Sequence, residues 1–208
     1  MISAVITADI VASTSLSKVQ LKNLMKNLGL ILSPYQHEFF RGDSFQIYIK
    51  SPAEALVLLL QMRVIAMKLV QDSSMPVTDI RACLGIGTVK APVHSLKTAS
   101  DEAFVISGRA FDKMGHGQRL AITSNEKNST VNLGFKLVAD FVDYIFQHLT
   151  SKQAAVVFEL LLNRTQIETA KRLKKSQATV HKHAQSAGWP EIEKLLAHYQ
   201  TLLSLIVF

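Results

Sequence analysis

Residues 35–50 read YQHEFFRGDSFQIYIK, and this stretch decides the predicted fold. Two β-type runs, 35–41 and 44–50, flank the pair Gly42-Asp43. Runs rich in aromatic and β-branched residues are typical of strands, and a Gly-Asp pair between two of them is typical of a tight turn. We therefore expect a β-hairpin here.

The segments around the hairpin complete an alternation of strands and helices. Apolar spacing predicts strands over 2–8, 79–89 and 120–123, and helices over 16–32, 52–70 and 102–114. The order strand, helix, strand, strand, helix, strand is typical of the split βαβ, or ferredoxin-like, arrangement of the α/β (α+β) class. In that arrangement the first and third strands lie side by side at the centre of an antiparallel sheet.

This topology brings two acidic residues to one edge of the sheet. Asp9 ends the first strand and Asp43 lies in the hairpin. Two carboxylates repel each other unless a cation lies between them, so the placement indicates Mg²⁺ or Mn²⁺. The alternative is structural, with Asp9 capping the first helix and Asp43 forming the turn.

The segment after Asp9 is a candidate phosphate site. We predict that its backbone amides open the first helix, and amides at a helix N-terminus bind phosphate groups. A nucleotide would then lie against Ile10, Val11, Ala12, Ser13 and Thr14.

Four short motifs resemble class III nucleotidyl cyclases. ADIVAST at 8–14 resembles their first metal-binding segment, and RGDSF at 41–45 resembles the second. RACLGIGTV at 81–89 and AFVISGRA at 103–110 are similar to the strand and helix that follow. RGDSF also resembles half of the Gly-Gly-Asp hairpin of polymerase-type palms, which make oligonucleotides by two-metal chemistry.

The resemblance implies roles for individual residues. Asp9 and Asp43 would be metal ligands, Ile10 would lend a backbone carbonyl, and Arg109 would stabilise charge that develops on the phosphates. The alternative for Arg109 is an ordinary surface residue of a helix.

Three positions depart from the cyclase pattern. Ala12 replaces the usual Gly of the phosphate turn, Phe39 the base-reading Lys, and Val105 an Asn. The departures leave open whether the site catalyses or only binds a nucleotide.

The positive charge is concentrated in one part of the chain. The net charge is +7, and residues 150–190 hold seven Lys and Arg against two acidic residues. Such a density favours an anionic partner, most simply nucleic acid. A solvated basic helix face is the alternative.

The same part of the chain predicts three short helices. Thr150 with Gln153, and Thr165 with Glu168, are capping boxes, and Ser176 caps a third helix that ends near 188. We expect the second helix to turn Ile167, Ala170 and Leu173 inward, and the third to turn Val180 and Ala184 inward.

The spacing from Ala170 to Val180 is typical of a helix-turn-helix. It resembles sigma-factor region 4 and LuxR-like proteins, with Lys174 where the turn usually has Gly. The third helix would then enter a major groove. The predicted base contacts are Ser176, Gln177, Ala178, His181 and Lys182, and the predicted phosphate contacts are Arg164, Lys171, Arg172, Lys174 and Lys175. A purely structural three-helix module is the alternative.

The layout as a whole resembles the bacterial SatD family. We predict a cyclase-like domain over 1–135 and a helical domain over 136–208, with the helix-turn-helix at 150–188. Residues 192–208 form a helix with a wide apolar face, which must be buried inside the protein or against a second copy. Since helix-turn-helix proteins read paired half-sites, we expect a homodimer.

Composition narrows the class of protein. Hydrophobic residues make up 48% of the 208, which excludes disorder, and no apolar run suits a membrane-spanning helix. The N-terminus lacks the pattern of a secretory signal and Cys83 is the single cysteine, so we predict a cytoplasmic protein without disulfides.

Three functional hypotheses follow. The first is a DNA-binding transcriptional regulator whose cyclase-like domain binds a nucleotide or serves as a scaffold. The second is an active metal-dependent nucleotidyl cyclase or nucleotidyltransferase. The third is a protein-interaction module that binds neither nucleotide nor nucleic acid.

Overall fold

A computed structural model describes residues 1–40, 42–69 and 78–207, and these residues form a mixed α/β fold, as predicted. Arg41, Val70 and Phe208, at the ends of predicted elements, lie outside the described residues. The strands are β1 (Ile2–Val11), β2 (Gln36–Phe40), β3 (Ser44–Ile49), β4 (Asp79–Thr88) and β5 (Leu120–Thr123). The helices are α1 (Lys18–Leu32), α2 (Pro52–Met67), α3 (Glu102–Asp112), α4 (Ser129–Gln147), α5 (Ser151–Leu161), α6 (Gln166–Leu173), α7 (Gln177–Ser186) and α8 (Trp189–Ser204).

The five strands form one sheet in the order β2-β3-β1-β4-β5. The hairpin is present, and β1 pairs with β3 as predicted. The sheet is mixed rather than antiparallel, because β5 runs parallel to β4. The cause is α3, a crossover that returns the chain to the same end of the sheet before β5 begins.

The two faces of the sheet differ in what covers them. Alternate residues of β1, among them Ala4, Ile6 and Ala8, join the main core, which includes residues of α1, α2, α4 and α5. We call this the core face, and the opposite one the outer face. On the outer face α3 approaches β4 so closely that a Cβ on Gly85 would lie 2.6 Å from the Ser107 backbone nitrogen. Glycine is required there for the helix to pack.

Helix α2 is apolar over most of its surface because most of its residues are buried. It lies between the sheet and the C-terminal helices α5 and α8. The side-chain nitrogen of Gln61 donates to the Leu161 carbonyl at 3.0 Å, and the Tyr199 hydroxyl donates to the Pro52 carbonyl at 2.7 Å. One apolar cluster therefore contains residues from both predicted domains. The division into domains stays a prediction, and the boundary at 135/136 falls inside α4.

A fully buried arginine ties α2 to other elements. The Nη2 and Nε atoms of Arg63 donate to the two carboxylate oxygens of Asp79, at 2.7 and 3.1 Å, and Nη1 donates to Asp143 Oδ1 at 2.6 Å. The second Asp143 oxygen accepts from the backbone N–H groups of Arg119 and Leu120. Burial lowers the pKa of the Arg63 guanidinium, but the carboxylates of Asp79 and Asp143 outweigh it, so this pKa is raised.

The C-terminal helix α8 packs within the chain. It ends at Ser204, earlier than predicted, with Ile192 and Tyr199 buried in the main core. Beyond it, Val207 exchanges two hydrogen bonds with the Asn128 side chain. The part of the chain that the structure describes contains no helix with the length and apolar character needed to cross a membrane.

Candidate functional sites

Asp9 lies on the outer face, beside an arginine. The strand β1 continues to Val11, so Asp9 neither ends the strand nor caps a helix. In the sheet it stands between Ser44 of β3 and Arg81 of β4. The Arg81 guanidinium donates to both Asp9 carboxylate oxygens, at 2.7 and 3.3 Å. Both side chains are partly exposed, so the ion pair is accessible from solvent.

Asp43 lies next to this pair, in the hairpin turn. Its backbone carbonyl accepts from the Ile10 N–H at 3.1 Å, which fixes the turn against the end of β1. Its carboxylate accepts from the Ser13 hydroxyl at 2.9 Å. Because Asp9 pairs with Ser44, the residue after Asp43, the structure brings the two acidic positions to the same edge of the sheet.

The predicted phosphate segment has a different local structure from the one expected. Ile10 and Val11 belong to β1, and residues 13–15 form a 3-10 turn. Helix α1 begins only at Lys18, after a capping box between Ser17 and Gln20. The prediction that these amides open the first helix is therefore wrong, because pairing with β4 extends the strand. Ala12, where the cyclase pattern has Gly, adopts a left-handed conformation with φ 56°.

The structure does not bring Arg109 to the two carboxylates of its own chain. Arg109 is exposed in the last turn of α3. Buried Ser107 faces the sheet, and Arg109 lies about 200° further around the helix. Arg81 is the guanidinium beside Asp9. Arg81 lies beside Asp9 because of the antiparallel register of β1 and β4. No local pattern in the sequence indicates that register.

A cleft on the outer face adjoins the Asp9–Arg81 pair. It has a volume of about 330 Å³ and is lined in part by Thr7, Gln46, Phe40, Lys97 and Phe111. The Gln46 amide donates to the Thr7 hydroxyl at 3.1 Å, and the Lys97 ammonium lies 5.6 Å from the centre of the Phe40 ring. Two aromatic rings and a lysine suit a planar, anionic ligand.

These lining residues were not predicted from the sequence. Thr7 and Gln46 occupy the same alternate positions as Asp9, so the period of two in β1 and β3 could have indicated them. Lys97 and Phe111 follow only from the tertiary fold. Among the described residues, no group of three or more His, Cys, Asp and Glu side chains is placed to hold a metal ion. A cation at Asp9 and Asp43 would therefore need ligand or water oxygens to complete its shell.

The second candidate site lies on α5, α6 and α7. The capping boxes at Thr150 and Thr165 and the cap at Ser176 are present, as predicted. Between α6 and α7 the chain turns in three residues, and Lys174 there has φ 51°, a left-handed conformation that β-carbon-bearing residues adopt at modest cost. The Lys175 N–H donates to the Ala170 carbonyl at 3.0 Å, which closes the end of α6.

A small apolar cluster holds these three helices together. It contains Val156, Leu160, Ala170, Val180 and Ala184, so the predicted inward positions of α7 are confirmed. The prediction for Ile167 is wrong, because its side chain is 53% exposed. Ile167 lies one turn before Ala170 and outside the small apolar cluster that the described residues of α5, α6 and α7 form.

The predicted base contacts form one exposed surface. Exposed residues at the start of α7 are Ser176, Gln177, Ala178, His181 and Lys182. The His181 ring nitrogen Nδ1 lies 3.3 Å from the Gln166 amide oxygen, so this histidine also contacts α6. The exposed start of α7 is therefore in contact with the start of α6.

The predicted phosphate contacts divide into two groups. Arg164 and Arg172 both donate to the carboxylate of Glu159, the latter at 2.9 Å, so part of their charge is neutralised. In the described chain, no ion pair engages the four exposed lysines of this surface, Lys171, Lys174, Lys175 and Lys182. The signal for Glu159 is in the sequence, where it is the one acid in the apolar run at 154–162.

Comparisons of the chain with protein-family models, with curated proteins and with solved structures find no match. The likenesses to cyclases, to helix-turn-helix proteins and to the SatD family stay predictions. The geometry of the two candidate sites is therefore the basis for any functional conclusion.

Proposed function

We propose that this protein is a DNA-binding transcriptional regulator, in which α5, α6 and α7 form a helix-turn-helix. The observation that carries the proposal is the surface at the start of α7. It combines four exposed lysines that pair with no acid in the described part of the chain, polar side chains suited to reading bases, and the three-residue turn at Lys174. We also propose that the layout of the chain is like that of the SatD family and that the protein is located in the cytoplasm.

The chemistry of this surface suits duplex DNA. An α-helix fits the major groove, where Gln177 and Lys182 are of the right type to donate to base edges. The N-terminal end of a helix carries partial positive charge, so the start of α7 faces the phosphates favourably. Lys171, Lys174 and Lys175 add phosphate contacts that set register without reading sequence.

The test begins with selection of binding sites from random duplex DNA, followed by affinity measurements over a range of salt concentrations. Lys175→Ala should weaken binding to every duplex and reduce the salt slope by about 1. Gln177→Ala should weaken binding to the selected duplex by about 10-fold and leave binding to random DNA almost unchanged. The matched control is Lys22→Ala, which removes an exposed lysine of α1 that is distant in sequence from the helix-turn-helix, and it should leave the affinity for DNA unchanged. If selection enriches no sequence and Lys175→Ala binds as the unmodified protein does, the proposal fails.

We further propose that the outer face binds a nucleotide together with Mg²⁺ or Mn²⁺. Support comes from the antiparallel order β2-β3-β1-β4, which suits a ferredoxin-like arrangement, and from the cleft beside Asp9 and Asp43. The Arg81 guanidinium donates to both Asp9 carboxylate oxygens, so a cation that binds Asp9 would compete with it. The freed guanidinium would then be available to a phosphate.

Thermal unfolding with Mn²⁺ and a panel of nucleoside triphosphates tests the second proposal. We expect a rise in melting temperature that needs both metal and nucleotide, since binding to the native state alone stabilises it. Asp9→Asn/Asp43→Asn should abolish the rise, and Asp140→Asn, an exposed acid on α4, should keep it. Pyrophosphate release then separates a cyclase or nucleotidyltransferase from a sensor. No rise at millimolar nucleotide and Mn²⁺ would refute binding.

A further inference from the structure

Helix α4 carries a stripe of large apolar side chains that face solvent. Leu133, Leu137, Phe141 and Tyr144 are 60%, 52%, 58% and 65% exposed. Their spacing of four, four and three residues places them on one side of the helix. Soluble proteins rarely expose a contiguous apolar surface of this size without a partner.

The stripe does not result from loose packing of α4. The other side of the helix, which includes Val131, Phe135 and Val142, is buried in the main core. On the flank, α8 approaches so closely that a Cβ on Gly134 would lie 2.6 Å from Leu202. The two helices thus border a fixed apolar groove of about 680 Å³. We call the stripe and this groove together the α4–α8 surface.

The charges around the α4–α8 surface suit a second copy of the chain. One edge carries the Lys136–Asp140 ion pair and the other carries Glu191 and Lys194, so each edge is neutral. The chain as a whole has a net charge of +7. Nothing here attracts an anionic partner, and two copies would meet without net repulsion at this surface.

The order of charges along α4 also selects a direction. If two α4 helices paired in parallel, Lys136 would face Lys136. Antiparallel pairing about a two-fold axis near residue 138 places Lys136 of each copy beside the partner's Asp140 instead. A two-fold interface must be complementary to itself in this way.

The size of the surface is close to what each partner of a dimer contributes. Helix α4 has 19 residues, which is about 28 Å at the usual rise. The axes of two packed helices lie about 8–10 Å apart, and each helix is about 10 Å wide, so α4 and α8 together are about 18–20 Å wide. The projected area of the pair is therefore about 500–600 Å², without the additional area of protruding side chains. Specific interfaces need about 600 Å² or more from each partner.

We propose that the α4–α8 surface is the homodimer interface, with the α4 stripes of two copies packed antiparallel. The sequence points to the apolar face of 192–208 for this role, but α8 turns that face largely inward. The inference deepens the proposed function and rests on it, because helix-turn-helix regulators read paired half-sites with two copies.

The test measures the mass of the full chain in solution between about 1 and 100 μM by light scattering and sedimentation. We expect a dimer that Phe141→Glu converts to monomer, with at least a 10-fold weaker association. The matched control is Leu30→Glu, which places the same charge on a leucine of α1 that is 65% exposed. It should remain a dimer. A monomeric unmodified protein at 100 μM, or a dimeric Phe141→Glu variant, would overturn the inference.

Cross-linking covers the case in which Phe141→Glu does not fold. Leu137→Cys lies near the proposed two-fold axis, and the native Cys83 is buried. A bis-maleimide should join two Leu137→Cys chains in high yield and leave Leu30→Cys uncoupled. Equal coupling of both variants, or of neither, would count against the interface.

DNA binding separates the two proposals. If the Phe141→Glu monomer still recognises one half-site in a manner that needs Lys175, the proposed function and the interface both stand. If the unmodified protein binds DNA as a monomer, the interface fails and the function stands. If no DNA binds but the dimer forms through α4, the function fails alone.

Discussion

The described residues contain two arginine–aspartate clusters, which differ chiefly in burial. Arg63 extends from α2 on the core face and binds Asp79 and Asp143 without any exposed surface. Arg81 extends from β4 on the outer face and binds Asp9, with a third of its side chain exposed. The comparison shows what burial adds: the same chemistry is structural where water is excluded and available for ligands where water enters.

The largest effect should come from breaking the buried cluster. Arg63→Met leaves the carboxylates of Asp79 and Asp143 buried without their counter-ion, which costs about 3–5 kcal/mol of unfolding free energy. The matched change Arg81→Met should cost about 1 kcal/mol or less. Urea unfolding followed by circular dichroism measures both. Equal losses in the two variants would mean that burial does not distinguish the clusters.

A second test uses two acids on one helix. Asp143→Ala removes a partner of Arg63 and leaves the backbone N–H groups of Arg119 and Leu120 without an acceptor, so we expect a loss of about 3 kcal/mol. Asp140→Ala, three residues away and exposed, should cost less than about 0.5 kcal/mol when both changes are made in the monomeric Phe141→Glu variant, where the proposed interface is absent. The same unfolding experiment applies. A loss of under 1 kcal/mol for Asp143→Ala would contradict the role of the buried cluster.

The rate at which a reagent labels the thiol of Cys83 offers a second measure of the stability difference between Arg63→Met and Arg81→Met. Burial raises the pKa of Cys83 to about 12, so at pH 8 the thiol is protonated as well as shielded. A thiol reagent should label the native protein only through unfolding. With 3 kcal/mol of lost stability, labelling of Arg63→Met should be about 100-fold faster. Arg81→Met should increase it less than 10-fold, and fast labelling of the unmodified protein would contradict the expected protection.

The accessible cluster should respond to metal instead. Since Arg81 and a cation compete for the Asp9 carboxylate, Arg81→Met should bind Mn²⁺ about 10-fold more tightly, a difference of about 1.4 kcal/mol. Electron paramagnetic resonance of free Mn²⁺ measures this directly. Arg109→Met, which removes an exposed arginine of α3, is the control and should leave Mn²⁺ affinity unchanged. Weaker Mn²⁺ binding after Arg81→Met would reject the competition.

The smallest effect concerns an acid that pairs with no arginine. The Thr88 backbone N–H donates to the Glu102 carboxylate at 2.9 Å, and this hydrogen bond lowers the pKa of Glu102. A lowered pKa adds stability above the pKa of the unfolded chain, and this is lost as pH falls through the pKa of the folded state. Glu102→Gln should therefore lose less stability than the unmodified protein between about pH 5 and pH 3. Melting temperatures measure the difference, and parallel curves would contradict it.

Local signals predicted much of the fold. The hairpin and the capping boxes at Thr150 and Thr165 depend on a few neighbouring residues, and all are present. The capping box at Ser17 is an equally local signal that the analysis overlooked. Helix α4 was not predicted, although its buried apolar residues, among them Val131, Phe135 and Val142, recur at the spacing of an amphipathic helix.

The sites were harder to predict because they depend on register and distance. Asp9 and Arg81 meet because two strands pair in one register, and Arg63 and Asp143 meet across 80 residues. Neither ion pair can be recognised from a pattern of residue spacing in the sequence. Glu159 stands out in the sequence as the one acid of an apolar run, but its contacts with Arg164 and Arg172 follow only from the packing of the helices.

Because α2 lies between the sheet and the C-terminal helices, it cannot be fully buried until the end of the chain has been synthesised. The hydrogen bond from Gln61 to Leu161 spans 100 residues, which take about 5–20 s to synthesise at usual rates. Until then, one side of this apolar helix has no cover from the C-terminal helices. We expect the nascent protein to need protection over that interval, and a chain stopped near residue 150 to aggregate.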